Sequence, residues 1–423
     1  MKKQRQERKK MFNRVFMILP LILTLFPSSF LLAKVKAIRA GEIHTMAGEV
    51  IKGGIILIAD GKISAVGSAV VIPDGAEVMD ATVWILYPGF LAPSCSLFRE
   101  EANNFESFSP DTSALDGFDF SRDFSRYLEG GITSVYLDTT KDRLISGKGA
   151  VVKLAGEDVR SRLVKKDAAL RINLGIRSLL PPMINIFPAP VSDDNPITPS
   201  RKQFPSSSLG AFWAVERLFR FEPFSGDSAR YWENISRSLK AAQEQKIPLI
   251  VECQKAVDIV RAIELAKIAD MPLIISGAAE AYRLTGLLKK NGISVIAPAR
   301  VQLNKPCPGE GFLSSAEEAQ VSLENIPELI KQGIPVAISA DENDSLPDLL
   351  WLTQYYQKYG LAGEELLKSI TINPARMLGV EKRIGSLEEG KDADILFFHR
   401  ESGQPLPRLK RVMIEGNIVY EQK

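Results

Sequence analysis

The chain has 423 residues but only 2 histidines, against 53 Lys+Arg and 51 Asp+Glu, which excludes any mechanism that needs three or four imidazoles. Its 45% hydrophobic and 25% charged residues, with 30 Gly and 25 Pro, are those of an ordinary globular protein, neither disordered nor collagen-like. The length allows two or three domains, or an α/β barrel of about 250 residues with a smaller companion; three cysteines, Cys95, Cys253 and Cys307, form no CxxC pair and give no disulfide framework.

The first element in chain order is an export signal. Residues 1–14 carry seven Lys or Arg and one Glu, and Val15 to Ala33 is uncharged and apolar. A basic n-region, an apolar h-region and the small residue Ala33 predict a secretory signal peptide over 1–33. The uncleaved alternative, a membrane anchor, is disfavoured because Pro20 and Pro27 cut the apolar run below the ~20 residues a span needs. Removing the seven basic residues and one acidic residue from 53 and 51 leaves 46 and 50, so the formal charge of +2 becomes about −4. Nothing in that balance points to nucleic acid, and the expected location is exported, in a bacterial periplasm.

From Lys34 to Pro88 short strands alternate with glycines: VKAIRAGEIHT, GGIILIADGKISAVG and AEVMDATVWIL, with Asp60-Gly61 as a hairpin turn, predicting a small antiparallel sheet. Next come apolar runs separated by helical patterns: ITSVYLD (132–138), AVVKLAG (150–156), IPLIVEC (247–253), MPLIIS (271–276), GISVIA (292–297) and GIPVAISAD (333–341). One helical pattern puts Val257, Ile259, Val260, Ile263 and Ala266 on a single stripe. This alternation predicts parallel βαβ units, about eight over 89–377, hence a (β/α)8 barrel, with a doubly wound sheet as the alternative. Seven prolines between Pro181 and Ser208 break the rhythm and predict a long loop. DADILFF (392–398) and RVMIEGNIVYE (411–421) are strands again, the latter around Glu415-Gly416-Asn417. Both chain ends, 34–88 and 378–423, are therefore expected to build one composite β domain.

Four segments in this order resemble the amidohydrolase superfamily, most closely its imidazolonepropionase-like and prolidase-like branch: GGIILIADGKISAVG, PGF at Pro88 to Phe90, SITINPARMLGV (369–380) and GSLEEGKDADILFF (385–398). The resemblance covers the whole chain after the export signal. It implies a (β/α)8 TIM barrel carrying a small β-sandwich assembled from both ends. It also implies one or two divalent metals such as zinc at the C-terminal mouth, where an activated water hydrolyses amide, ureido or cyclic C–N bonds. Most ligand positions that the resemblance implies hold other residues here. Ser94 and Ser96 in LAPSCSLF stand where the family has an HxH pair, Glu252 and Gln254 in VECQK at the fifth-strand histidine positions, and Ser276 at the sixth-strand histidine. The eighth-strand aspartate is matched by Asp341 in ISADEN, followed by Glu342 where this branch has histidine. Lys153 is the nearest candidate for the carbamylated lysine of some relatives, and His44 and His399 lie in the terminal β segments, outside the mouth.

Period-two alternation gives this set a geometry. With Ser94, Ser96, Glu252 and Gln254 facing the barrel interior, Cys95 and Cys253 face the helix layer as small buried hydrophobes. A Cys–His nucleophile then lacks its base, and Cys307, on the loop after strand seven, is a free thiol without a neighbouring base. Glu252 and Asp341 are the candidate catalytic carboxylates, for acid/base work or for a hard cation such as Mg²⁺ or Ca²⁺. The competing reading is a remnant in which Asp341 bonds Ser94, Ser96 or backbone amides. The sequence thus points to an exported pseudoenzyme on the amidohydrolase fold, with no metal cofactor and a pocket lined by Ser94, Ser96, Gln254 and Ser276. It would act as a homo-oligomer or beside an active homologue. The alternatives are a C–N hydrolase using Asp341 and Glu252 with an atypical metal or none, and a periplasmic binder of a small molecule.

Overall fold

The computed structural model describes residues 35–95, 106–179, 204–222, 229–299, 319–340, 343–400 and 407–422. The expectations for the export signal, Ser96, Cys307, Asp341, Glu342 and most of the Pro-rich stretch after Pro181 lie outside the described residues.

Strands are numbered in chain order. β1 (Lys36–Ile43), β2 (Ile51–Ala59), β3 (Lys62–Gly67) and β4 (Glu77–Pro88) join β13 (Ile395–His399), β14 (Arg408–Ile414) and β15 (Asn417–Glu421) in one sheet, ordered β15-β14-β13-β4-β1-β2-β3. The expected antiparallel N-terminal sheet is in fact mixed, because β1 and β4 run parallel. The free edge of β4 is then completed by β13, from the far end of the chain. Asp60 and Gly61 take φ of 51° and 74°, and Glu415 and Gly416 take 48° and 74°, the two-residue hairpin geometry that matches strand twist. One face of the sheet closes over Ile38, Ile56, Ile58, Leu86, Ile395 and Phe397.

The second sheet is a nearly closed barrel of β5 (Phe90–Cys95), β6 (Ile132–Leu137), β7 (Ile145–Lys153), β8 (Leu163–Asn173), β9 (Leu249–Cys253), β10 (Leu273–Gly277), β11 (Ser294–Pro298) and β12 (Val336–Ser339), in sequential order. Neighbours pair in parallel except at β7, which is antiparallel to both β6 and β8. The expectation of uniform βαβ units fails here for a physical reason. The connections at 138–144 and 154–162 are shorter than the dozen or more residues of a parallel crossover, so hairpin pairing is what they permit. On the outside, helix Ala256–Ala269 buries Ile259, Ala262, Ile263, Leu265, Ala266 and Ala269, whereas Val257, expected on that stripe, is 52% exposed in its first turn.

Alternation along the strands separates two cores. Leu91, Tyr136, Ile250, Ile274 and Ile296 fill the barrel interior, while Val135, Leu249, Val251, Ile275, Cys95 and Cys253 pack outward under the helices. Both cysteines thus face the helix layer as expected. The SITINPARMLGV stretch fills the seam between the end strands: Ile338 N donates to Ser369 O at 3.0 Å, Leu91 N to Ile370 O at 2.9 Å and Asn373 Nδ2 to Val336 O at 2.9 Å. Helix Ile372–Leu378 then adds Ala375, Met377 and Leu378 to the interior core.

Because β7 is reversed, Lys153 ends up opposite Ser134, near the start of β6 and away from the C-terminal mouth. It is fully buried, with Nζ 2.9 Å from Asp392 Oδ2, 3.0 Å from Asp394 Oδ1 and 3.1 Å from Glu415 Oε1. Arg383 completes this junction, pairing with Asp392 at 2.8 Å and donating to the Leu163 and Val164 carbonyls. Lys153 therefore ties the barrel to the composite sheet and is not a metal-site lysine. Burial alone pushes the Asp392 carboxyl up, but the Lys153 charge and hydrogen bonds from Lys62 and Lys153 bring it down to about 2.

Candidate functional site

The C-terminal ends of the parallel barrel strands bring polar side chains inward where the apolar interior stops. In β9, Ile250 belongs to the interior core, so Glu252, two residues on, faces the same way; the same step leads from Ile274 to Ser276 and from Tyr136 to Asp138. Strand register sets Asn173, Glu252 and Ser276 level across β8, β9 and β10.

At the centre is Arg171, fully buried. Its Nη1 pairs closely with Asp138 Oδ2, its Nη2 lies 2.6 Å from Glu252 Oε2, and its Nε donates to Asn173 Oδ1 at 2.9 Å. Ser94 Oγ donates to Asp138 Oδ2 at 3.0 Å, Ser276 Oγ to Glu252 Oε2 at 2.7 Å, and Gln254 Nε2 to Glu252 Oε1 at 2.9 Å. Four residues singled out from the sequence, Ser94, Glu252, Gln254 and Ser276, are thus one hydrogen-bonded cluster. Asp138, Arg171 and Asn173 were not anticipated. The available signal was Arg171 and Asn173 at alternate positions of AALRIN, polar residues recurring on one face of an apolar strand.

Electrostatics fix the protonation states. Burial disfavours the Arg171 charge, but Asp138 and Glu252 outweigh it and raise the guanidinium above its ordinary value. Burial likewise pushes Glu252 up, yet the Lys141 and Arg171 charges and hydrogen bonds from Ser276 and Arg171 hold it below the usual carboxylate range. Glu252 is an ionised partner of a cation, and a carboxylate held that way is a weak proton acceptor.

The described residues of this cluster do not fit a divalent metal. Ser94 and Ser276 are neutral and donate to carboxylates. Glu252 has both oxygens engaged, and among the described residues no group of three or more His, Cys, Asp or Glu could hold an ion. A guanidinium about 4 Å from a doubly charged ion opposes it by about 8 kcal/mol at an effective dielectric near 20. Both histidines lie against the composite sheet, His44 stacked on Tyr87 at 4.5 Å and His399 tilted against Trp84 at 5.2 Å. Cys253 is buried, and desolvation, with Glu252 and Asp258 nearby, pushes its thiol well above the usual range.

A model of the amidohydrolase family matches residues 233–419. The chain is 36% identical to the imidazolonepropionase of Shouchella clausii over 126 residues, 27% of either protein. It is 28% identical to that of Treponema denticola over 187 residues, 42% of this chain and 40% of that one. The chain therefore matches about a quarter to two fifths of the length of these curated relatives. Among solved structures, an amidohydrolase from Thermotoga maritima is 26% identical and superposes with a TM-score of 0.73, covering 91% of this chain and 100% of that one.

Proposed function

The chain belongs to the amidohydrolase superfamily, and within it we propose a member that has exchanged metal chemistry for a metal-free binding pocket. The observation that supports this reading is Arg171, whose buried guanidinium bridges Asp138 and Glu252 beside the serines that stand at histidine positions. Both histidines lie on the composite sheet, so no imidazole at this mouth takes a proton from water. The pocket keeps what binding needs: a preorganised set of donors and acceptors on rigid strand ends. We further propose that the protein is exported after cleavage near Ala33 and acts as a binding or partner subunit, alone or beside an active homologue.

The test is a hydrolysis assay on acyclic and cyclic amides, including the imidazolone ring that its named relatives act on, with and without added zinc. No turnover in either condition is expected. Zinc-dependent turnover overturns the proposal. Zinc-independent turnover that disappears in Asp341→Asn supports the competing reading, a hydrolase whose base is the one family carboxylate position retained. N-terminal mapping of the protein recovered from its host checks export, which an intact residue 1–33 segment contradicts.

A further inference from the structure

We propose that the loop between β6 and β7 forms an oxyanion site at the barrel mouth, where Arg143, with Lys141 beside it, takes the carboxylate or phosphate of a small molecule. This rests on the reading of the mouth as a metal-free pocket and names the ligand class it admits.

Arg143 is only 4% exposed. Of its N–H donors one is used, Nη1 to the Asp142 carbonyl at 3.1 Å, and Nε is buried with no hydrogen-bond partner. Among the described residues no carboxylate lies within ion-pair distance of it. The side chain of the adjacent Asp142 accepts from Thr140 Oγ1 at 3.3 Å instead. Other buried cations are provided for. Lys153 has three carboxylates and Arg171 has two. Arg162 has no carboxylate but donates to three carbonyls and lies over the rings of Phe118, Phe120 and Phe124. Arg143 has one carbonyl. A desolvated guanidinium with free donors is costly without an anion, and a planar fork matches two oxygens of a carboxylate or phosphate.

The loop is held in place by the central cluster. Asn173 Nδ2 donates to Arg143 O at 2.6 Å and to Thr140 O at 3.0 Å, while Asn173 Oδ1 accepts from Arg171. Lys141 is half-buried, and its charge acts on Glu252 at the mouth, so a second cation stands on the same loop. Burial pulls the Arg143 guanidinium below its ordinary value, and the charge of the adjacent Asp142 offsets this only in part.

The experiment is a thermal titration of the full chain with propionate and with inorganic phosphate, each against sodium chloride at equal ionic strength. At least one oxyanion is expected to raise the melting midpoint saturably, and which one does so identifies the ligand chemistry. In Arg143→Met the rise is lost, and Lys141→Gln raises the half-saturating concentration several-fold. Without ligand, Arg143→Met is expected to melt at or above the wild-type midpoint, because it removes a buried charge that Asp142 offsets only in part; a purely structural arginine gives the opposite. No rise beyond chloride, a rise that survives in Arg143→Met, or a clear loss of ligand-free stability in that variant overturns the proposal. Metal content measured on the same samples separates the two readings. An Arg143-dependent rise in a zinc-loaded protein overturns only the metal-free mouth, and a metal-free protein without a rise overturns only the oxyanion site.

Discussion

Replacing Arg171 by methionine leaves Asp138 and Glu252 facing each other in a buried space with no cation between them. Removing one partner of a buried ionic network costs about 3–5 kcal/mol, so Arg171→Met is expected to lose about that much at pH 7 by urea unfolding. The pH dependence reports the cause. In the wild type Glu252 is held below its ordinary 4.5, so its contribution is fully present above that value and fades as pH falls through the lower folded value. In the variant Glu252 loses the charge and hydrogen bond of Arg171 that lower it, so the penalty grows as pH rises through its raised value. The gap between the proteins should narrow toward pH 4; a gap independent of pH contradicts the ion-pair account. Cys95 and Cys253 give a second check at this scale. Both are buried, so alkylation followed by peptide mapping should modify them only after unfolding. The inward positions of Glu252 and Ser276 were legible because strand periodicity is local; Ser94 follows a register shift in β5 and Gln254 lies past the end of β9, and both were singled out by the resemblance. Arg171 was not, because its partners lie 33 and 81 residues away and only barrel closure brings them together.

Among the elements, three of the four segments that carried the family resemblance turn out to be joints. In PGF, Gly89 N donates to Asp394 O at 3.0 Å as the chain passes from composite sheet to barrel, and a Cβ there would lie 2.1 Å from Thr133 Oγ1. Gly89→Ala is therefore expected to cost about 1–3 kcal/mol through overpacking, and Thr133→Ala in the same chain should restore part of it. Additive losses in a double-mutant cycle contradict that contact. GSLEEGKDADILFF supplies Asp392 and Asp394 to Lys153, and SITINPARMLGV supplies the barrel seam. Sequence pattern predicted eight strands and a composite domain but not the reversal of β7. An apolar run such as AVVKLAG has no direction of its own, and the short connections beside it decide the pairing.

At the scale of the whole molecule, the barrel and companion sheet of an amidohydrolase fold are present, and we propose that most positions of the family's metal site are exchanged. The two act independently: the joints lie where composite sheet, seam and barrel meet, whereas Ser94, Glu252, Gln254 and Ser276 share the mouth. Arg171 places positive charge between the buried carboxylates Asp138 and Glu252, and in the proposed function it balances them without an ion. The most direct measurement is the metal-to-protein ratio by elemental mass spectrometry, taken on protein purified without chelator and again after incubation with excess zinc and desalting. The expected result is no stoichiometric zinc in either sample and an unchanged melting midpoint. One or two tightly held zinc ions per chain, with a raised midpoint, would contradict it.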